Sequence, residues 1–419
     1  MGRVFDALIA ILLMFLLFIS CKDNDELSLS DVPKSECVPL PTVMIETPQS
    51  VAVESKTEWT KNCKLTLLDP NGELLFIDTA AQIRCRGNST YEMPKKPYAL
   101  KLSERIEVLG MRSHRRWCLL ANAFDRTHLK NDVAFHIGKM TALKWTPCGQ
   151  FVVVSLNGKE QGLYYLCEQI KVDTARLALA EIGSSDVYGE AVTGGYLLEY
   201  DKYFDGVFKF RTAVKKFPVN IKSPDEDIIK PIQAKYIVDY VNHVESLLYV
   251  EQSSFEELEK WMDMDSFADY YLVSELTFDK ELNRPRSVFL YKDRGGRLSA
   301  GPIWDYDWAW CRVNKTGLAL SKSLYYDRLL ELPDFITLLC TRWSFLRSSL
   351  DGIGKYIEEQ SFLLRGQSLH DRYLWQQISK NSNENLEYDE AVGLLIRNFS
   401  LRVKVLDAAY AEQNNSRLL

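Results

Sequence analysis

The pattern of apolar and polar positions changes character once along the chain. From Val43 to about Asp225 the apolar residues come in short runs separated by polar turns, which reads as strands and hairpins. Residues 64–68 and 74–77 flank Asp69-Pro-Asn-Gly72, and residues 151–156 and 162–168 flank Asn157-Gly158. Both turns suit tight hairpins, because asparagine and glycine accept positive φ. Residues 83–85, 97–102 and 194–201 read as further strands. Asp125 or Thr127 caps a helix with Leu129, Val133 and His136 on one side. Lys171, Val172 and Asp173 read as the start of another helix.

After Asp225 the period becomes helical. Ile237, Tyr240, Val241 and Val244 form one stripe, and Met264, Phe267, Ala268, Tyr271 and Leu272 form a second. Such stripes are core. After Trp310 the chain reads as mostly helical. The expected architecture is therefore α+β with two lobes, a strand-rich one over 42–222 and a helix-rich one over 223–412.

One hairpin interrupts the helical half. Residues 287–292 read as a strand, 293–296 as a glycine turn, and 298–304 as the returning strand, with Pro302 marking its end or a sheet edge. Paired strands lie ~4.8 Å apart, so the open ends of the hairpin meet. One end carries Asp279, Glu281 and Asn283; the other carries Asp305 and Asp307. Convergent carboxylates are costly unless a cation or a proton balances them. Oxygen ligands of this kind suit Mg²⁺ or Mn²⁺. The order of a catalytic aspartate, an asparagine, a strand pair and a metal-binding aspartate is also the order in protein kinases. The plainer reading is that these acids cap strand ends and face water.

A second polar stretch, Arg86-Gly87-Asn88-Ser89, lies between two strands, the second of which carries Lys101. Backbone N–H groups, hydroxyls and cations are what a triphosphate needs. Taken alone, such a turn is a common surface feature.

The residues Gly301-Pro-Ile-Trp-Asp-Tyr-Asp-Trp308 resemble the G-P-x-W-D-F-D-W signature of the CotH kinase family, whose members have an atypical protein-kinase-like fold. The resemblance extends to Arg86-Gly-Asn-Ser-Thr90 with Lys95-Lys-Pro-Tyr-Ala-Leu-Lys-Leu102, and to Leu119-Leu-Ala-Asn122 with Asp125 and Thr127. It continues through Gly162-Leu-Tyr-Tyr-Leu-Cys-Glu168, Gly194-Gly-Tyr-Leu-Leu-Glu-Tyr-Asp201 and Ile221-Lys-Ser-Pro224. It implies transfer of phosphate from ATP to protein Ser or Thr, with Mg²⁺ or Mn²⁺. It implies that Arg86, Gly87, Asn88 and Ser89 contact phosphates, with Lys101 (or Lys96) as the pairing lysine and Glu168 as that lysine's partner. Glu199 and Asp201 fall near the base or ribose. Asp279 orients the acceptor hydroxyl, with Glu281 as the rival carboxylate. Asp305 holds the metal, and Asn283 and Asp307 are further metal candidates. The Ile-Lys-Ser-Pro segment receives no chemistry. The rival reading is a non-catalytic cell-surface protein, a pseudokinase or scaffold, because a compartment outside the cytoplasm holds little ATP.

Length and composition add three points. The 419 residues, 46% of them hydrophobic, suffice for a large core. A net charge of −6 does not favour a nucleic-acid partner. Arg3 followed by an apolar run over 7–19 reads as a signal peptide over 1–20. Phe18-Ile-Ser-Cys21 resembles a lipobox, which implies a lipid on Cys21, a polar tether over 21–41, and a bacterial membrane-anchored protein facing the periplasm or the cell surface. None of the nine cysteines stands in C-x-x-C spacing, so a zinc ribbon is not expected. Disulfide connectivity does not follow from sequence.

Overall fold

The computed structural model describes residues 37–311, 313, 317–376 and 386–410. The expected signal peptide, Cys21 and residues 21–36 of the tether lie outside the described residues.

The fold is mixed α+β. Seven strands close into a barrel in the order β1-β2-β3-β4-β5-β7-β6. These are β1 (Thr42–Glu46), β2 (Thr60–Leu68), β3 (Leu74–Cys85), β4 (Tyr98–Val108), β5 (Met111–Leu120), β6 (Gly149–Leu156) and β7 (Lys159–Glu168). Neighbours pair antiparallel except β1 and β6, whose parallel pairing closes the barrel. Alternation decides what fills it. Ile45, Leu65, Ile83, Leu100, Trp117, Val152 and Leu166 belong to one buried cluster inside the barrel. Both expected tight turns form. The Asp69 carboxylate accepts from the N–H groups of Asn71 and Glu73, and Asn157 and Gly158 adopt φ of 52° and 74°, as a type I′ turn requires.

A second sheet of five strands runs β12-β11-β8-β10-β9. Its members are β8 (Tyr196–Tyr200), β9 (Lys209–Arg211), β10 (Pro218–Ser223), β11 (Val288–Lys292) and β12 (Leu298–Ala300). This sheet unites strands from both sides of residue 222, so the boundary expected there runs through it. The hairpin forms as expected, but its returning strand stops at Ala300 rather than Trp304. Gly301 has a φ of 111°, and Pro302 has no N–H to give a ladder.

Eight helices are present among the described residues: α1 (Lys130–Gly138), α2 (Pro231–Tyr249), α3 (Phe255–Glu259), α4 (Met264–Thr277), α5 (Tyr326–Leu329), α6 (Pro333–Arg347), α7 (Ile353–Leu374) and α8 (Tyr388–Tyr410). Asp125 and Thr127 share the work at the start of α1. Asp125 accepts from the N–H of Lys130 and from Thr127, whose own hydroxyl accepts from the N–H of Leu129. The apolar stripes of α2 and α4 are buried. No helix forms at 171–173. The Asp173 carboxylate accepts from the N–H of Ala175 and from Arg105, and the chain turns there instead. Helix α7 is tied to the barrel through Asp371, which accepts from Leu163 N–H at 2.9 Å and from the buried Lys95 at 2.7 Å. No helix among the described residues is long and apolar enough to cross a membrane.

Candidate active site

A cleft of about 360 Å³ opens between the barrel and the second sheet. Each wall comes from elements already placed. Strand β3 ends in Arg84 and Cys85, and the chain turns through Arg86, Gly87, Asn88 and Ser89 before β4, whose Ala99 also faces the cleft. The opposite wall is Glu199 on β8, Asp201 just after it, and Lys222 on β10. The base of the β11–β12 hairpin adds Arg286 and Ser287, and the segment after β12 adds Trp304, Asp305, Asp307 and Trp308.

The turn over 86–89 needs its glycine. Gly87 has a φ of 80°, and a Cβ there would meet the Thr90 hydroxyl at 2.3 Å. Asn88 is held by Lys56, which donates to its side-chain oxygen at 2.8 Å. The Arg86 guanidinium lies 5.1 Å over the Trp304 ring. Burial works against the Arg86 charge, but the sulfurs of Cys118 and Cys167 and the carboxylates of Asp305 and Glu199 outweigh it and hold its pKa above the usual value.

The two hairpin ends converge. Ser287 Oγ donates to Asp305 Oδ2 at 3.1 Å, and the Ser287 N–H donates to Asp201 Oδ2 at 3.1 Å. Phe278, Ser287, Asp305 and Trp310 all have positive φ, at 53°, 49°, 71° and 54°. Left-handed backbone at such residues costs about 1–3 kcal/mol each and gathers at functional sites.

The acids are poorly neutralised. Burial pushes the Asp279 carboxyl up to about 7, and Asp305 adds to the push against the N–H bond from Glu281. Burial, with Asp279 and Asp305, lifts Glu281 to about 8, although Arg286 lies 3.2 Å away. Asp201 rises to about 6, chiefly by burial. Asp305 and Asp307 are also raised by burial, Asp307 further by Asp305 and Glu281. Such a cluster accepts a cation or a proton.

Of the residues singled out from sequence, Arg86, Gly87, Asn88, Ser89, Glu199, Glu281, Asp305 and Asp307 line this one cleft. Asp279 is buried behind it, facing Asp305. Four others lie elsewhere. Lys101 sits beyond Ala99 on β4 beside Arg116, Arg115 and Lys61, and burial with these like charges lowers its pKa. Lys96 turns back to donate to the Tyr91 carbonyl. Glu168 serves structure, accepting from Arg176 at 2.8 Å and from the N–H of Cys148 at 3.0 Å. Asn283 is exposed on the short 3₁₀ turn after Asp279 and does not reach the cleft. Among the cleft cations that sequence reasoning missed is Lys222, which pairs with Glu199 at 3.2 Å. Its signal was the Ile221-Lys222-Ser223-Pro224 segment, whose resemblance carried no chemistry.

Alanine at Arg86 or at Lys222 is expected to weaken binding of an anionic ligand in this cleft by roughly 10- to 150-fold, the cost of one charge-assisted contact. Alanine at Lys101 is expected to leave it within twofold. Titration of the three variants with Mg-ATP checks this.

Among the described residues no three His, Cys, Asp or Glu side chains form a ready-made metal site. The donor set still fits Mg²⁺, which is bound through one or two carboxylates with substrate phosphates and water. Asp305 and Asp307 line the same cleft as the 86–89 turn.

A protein-family model described as CotH kinase protein matches residues 83–405 of the chain. No curated protein matches it.

Proposed function

The chain belongs to the CotH kinase family, and on that premise we propose that it transfers the terminal phosphoryl group of ATP to a Ser or Thr hydroxyl of a protein. One observation carries the reading. A single cleft joins a cationic turn at Arg86–Ser89 to carboxylates that burial leaves short of counter-charge. That division of charge suits a metal-bound triphosphate, where catalysis is mostly positioning and charge neutralisation. Arg86 and the turn amides would take phosphate oxygens. Asp305 and Asp307 would hold Mg²⁺, which supplies neutralisation of the phosphate charge. Asp279 would accept the hydroxyl proton, and its raised pKa suits a base working near neutral pH. Glu199, with Lys222, and Asp201 would meet the base or ribose. The barrel and the helical half would then stand as the two lobes of a kinase-like fold, expected over 42–222 and 223–412, with the second sheet drawing strands from both ranges.

A second reading has its own support. Neither Asn283 nor Lys101 lines the cleft, so the chain could bind a ligand without transferring phosphate, as a pseudokinase or scaffold. Mg-ATP titration with transfer of labelled phosphate to the chain itself or to a Ser/Thr-rich protein separates the two. Binding without transfer selects the scaffold; neither binding nor transfer removes both nucleotide roles.

We also propose that Cys21 carries a lipid and anchors the chain at a bacterial membrane, on its periplasmic or outer surface. The support is Ser20-Cys21 after an apolar run. Cys21→Ser is expected to abolish incorporation of a fatty-acid analogue and to release the chain from the membrane fraction. Full labelling of the variant would sink the idea.

A further inference from the structure

Behind the cationic wall of the cleft lie two thiols that neither the nucleotide reading nor the family match uses. Cys118 on β5 and Cys167 on β7 are direct partners across an antiparallel pair. Both are fully buried. Each thiol acts on the other electrostatically. Other thiols bond to backbone, Cys63 to the Thr60 carbonyl and Cys85 to that of Val53.

The pair projects from the outer face of the barrel wall, on the side packed against the helices. One row of the sheet runs Arg84, Ala99, Cys118, Cys167. Its first two members line the cleft. A small solute in the cleft is therefore one strand away from Cys118. The surroundings are cationic, since Arg86, Arg176 and Arg116 all act on Cys118. Cys167 and these arginines lower the Cys118 pKa toward the thiolate, and burial raises that of Cys167. That is the division of labour between an attacking and a resolving thiol.

Directly opposed strand residues have Cα atoms ~4.5–5.5 Å apart. A disulfide accepts ~4.4–6.8 Å. The backbone thus already meets the requirement.

We propose that Cys118 and Cys167 are a redox-active pair that closes reversibly into a cross-strand disulfide behind the cleft's cationic wall. With hydrogen peroxide as oxidant, the Cys118 thiolate attacks one peroxide oxygen. The O–O bond breaks, and hydroxide leaves and takes a proton to become water. The sulfur of Cys167 then attacks the resulting sulfenic acid, the S–O bond breaks, and a second water leaves. Two thiols are oxidised, one peroxide is reduced, and two waters form. Reduction by a dithiol reverses the change.

Each cysteine stands alone in its tryptic peptide, residues 117–126 and 160–171. The full chain, purified reduced, is treated with hydrogen peroxide, alkylated, digested without reductant and analysed by mass spectrometry. The expected product is a linked pair of these two peptides, lighter by two hydrogens than the reduced pair, which disappears after dithiothreitol. Closing this loop also raises the melting temperature by several degrees. Alkylation of both cysteines singly after peroxide, oxidation of either to sulfinic acid instead, or a link from either to another cysteine would overturn the proposal. The mapping needs no variant. Where Cys167→Ser folds, it must lose both the linked pair and the rise in melting temperature.

Discussion

Asp279→Asn is expected to bind Mg-ATP within about twofold of the unsubstituted chain and to transfer phosphate roughly 10²- to 10⁴-fold more slowly, the usual contribution of a positioned general base. Asp305→Asn is expected to lose the metal-dependent part of nucleotide binding itself. The difference follows from position. Asp305 lines the cleft beside Trp304 and the Arg86 guanidinium, where a metal on the phosphates would lie. Asp279 is buried behind it and does not line the cleft. A ground-state ligand then gains little from Asp279, whereas under the proposed role a reacting hydroxyl brought up to it would depend on it. If Glu281→Gln abolishes transfer and Asp279→Asn does not, the base is Glu281, whose carboxyl is raised to about 8.

The same residue makes a pH prediction with a definite sign. Asp279 is an acid whose folded pKa, about 7, stands above its ordinary value near 4. The folded state holds that proton more tightly than the unfolded chain. Its contribution is therefore fully present below pH ~4 and is lost as the pH rises through 7. Asparagine keeps the volume and cannot ionise. Asp279→Asn should melt higher than the unsubstituted chain at pH 8, by an amount that shrinks toward pH 4. Transfer by the unsubstituted chain should rise between pH 6 and 8 as Asp279 ionises. Thermal melts and rates across that range check both; an equal melting difference at pH 4 and pH 8 would contradict the raised pKa.

The local parts of this fold were legible because their signals are local. Asn157-Gly158 demands a tight turn, and the helical period at Ile237, Tyr240, Val241 and Val244 can be satisfied only with that face buried. Barrel closure was not legible, because the parallel pairing of β1 with β6 joins Thr42 to Val153, and no local pattern records a contact over that separation. The same limit explains Lys101. From sequence it stands on the strand after the glycine turn, where an analogy places a lysine. Its register on β4 sets it against Arg116, two residues past the cleft-lining Ala99. Lys222 is its mirror image. It looks like an ordinary charge on a short strand until β10 pairs with β8 and sets Asn220 opposite Glu199. Asp173 shows a third kind of failure, where a carboxylate that could cap a helix bonds to a nearby turn and to Arg105 instead. Reading Asp279, Glu281, Asp305 and Asp307 as convergent worked because a hairpin is the one long-range contact a turn announces.

Arg402→Met is expected to destabilise the chain by about 3–5 kcal/mol, the usual cost of leaving one member of a buried ion pair without its partner. Arg402 on α8 and Glu275 on α4 are fully buried and meet at 2.6 Å. Each also holds backbone. Arg402 donates to the carbonyls of Glu275 and Gly317, and Glu275 accepts from the N–H groups of Ala319 and Leu320. The pair thus joins α4, α8 and the segment over 317–320. Methionine fills much of the arginine volume, so the expected loss reports the stranded Glu275 carboxylate rather than a cavity. Replacing both together, as Glu275→Gln with Arg402→Met, should recover a large part of the loss, because glutamine can still accept from the two N–H groups without an uncompensated charge. Helix α4 leads through Phe278 into Asp279, so the single variant should also blur the acidic cluster. Denaturant titration of the two singles and the double forms the cycle. If the double loses the sum of the singles, the pair does not act as a unit. If Arg402→Met unfolds with an unchanged midpoint, the buried charge at Glu275 is met by another group and the α4–α8 joint rests on packing alone.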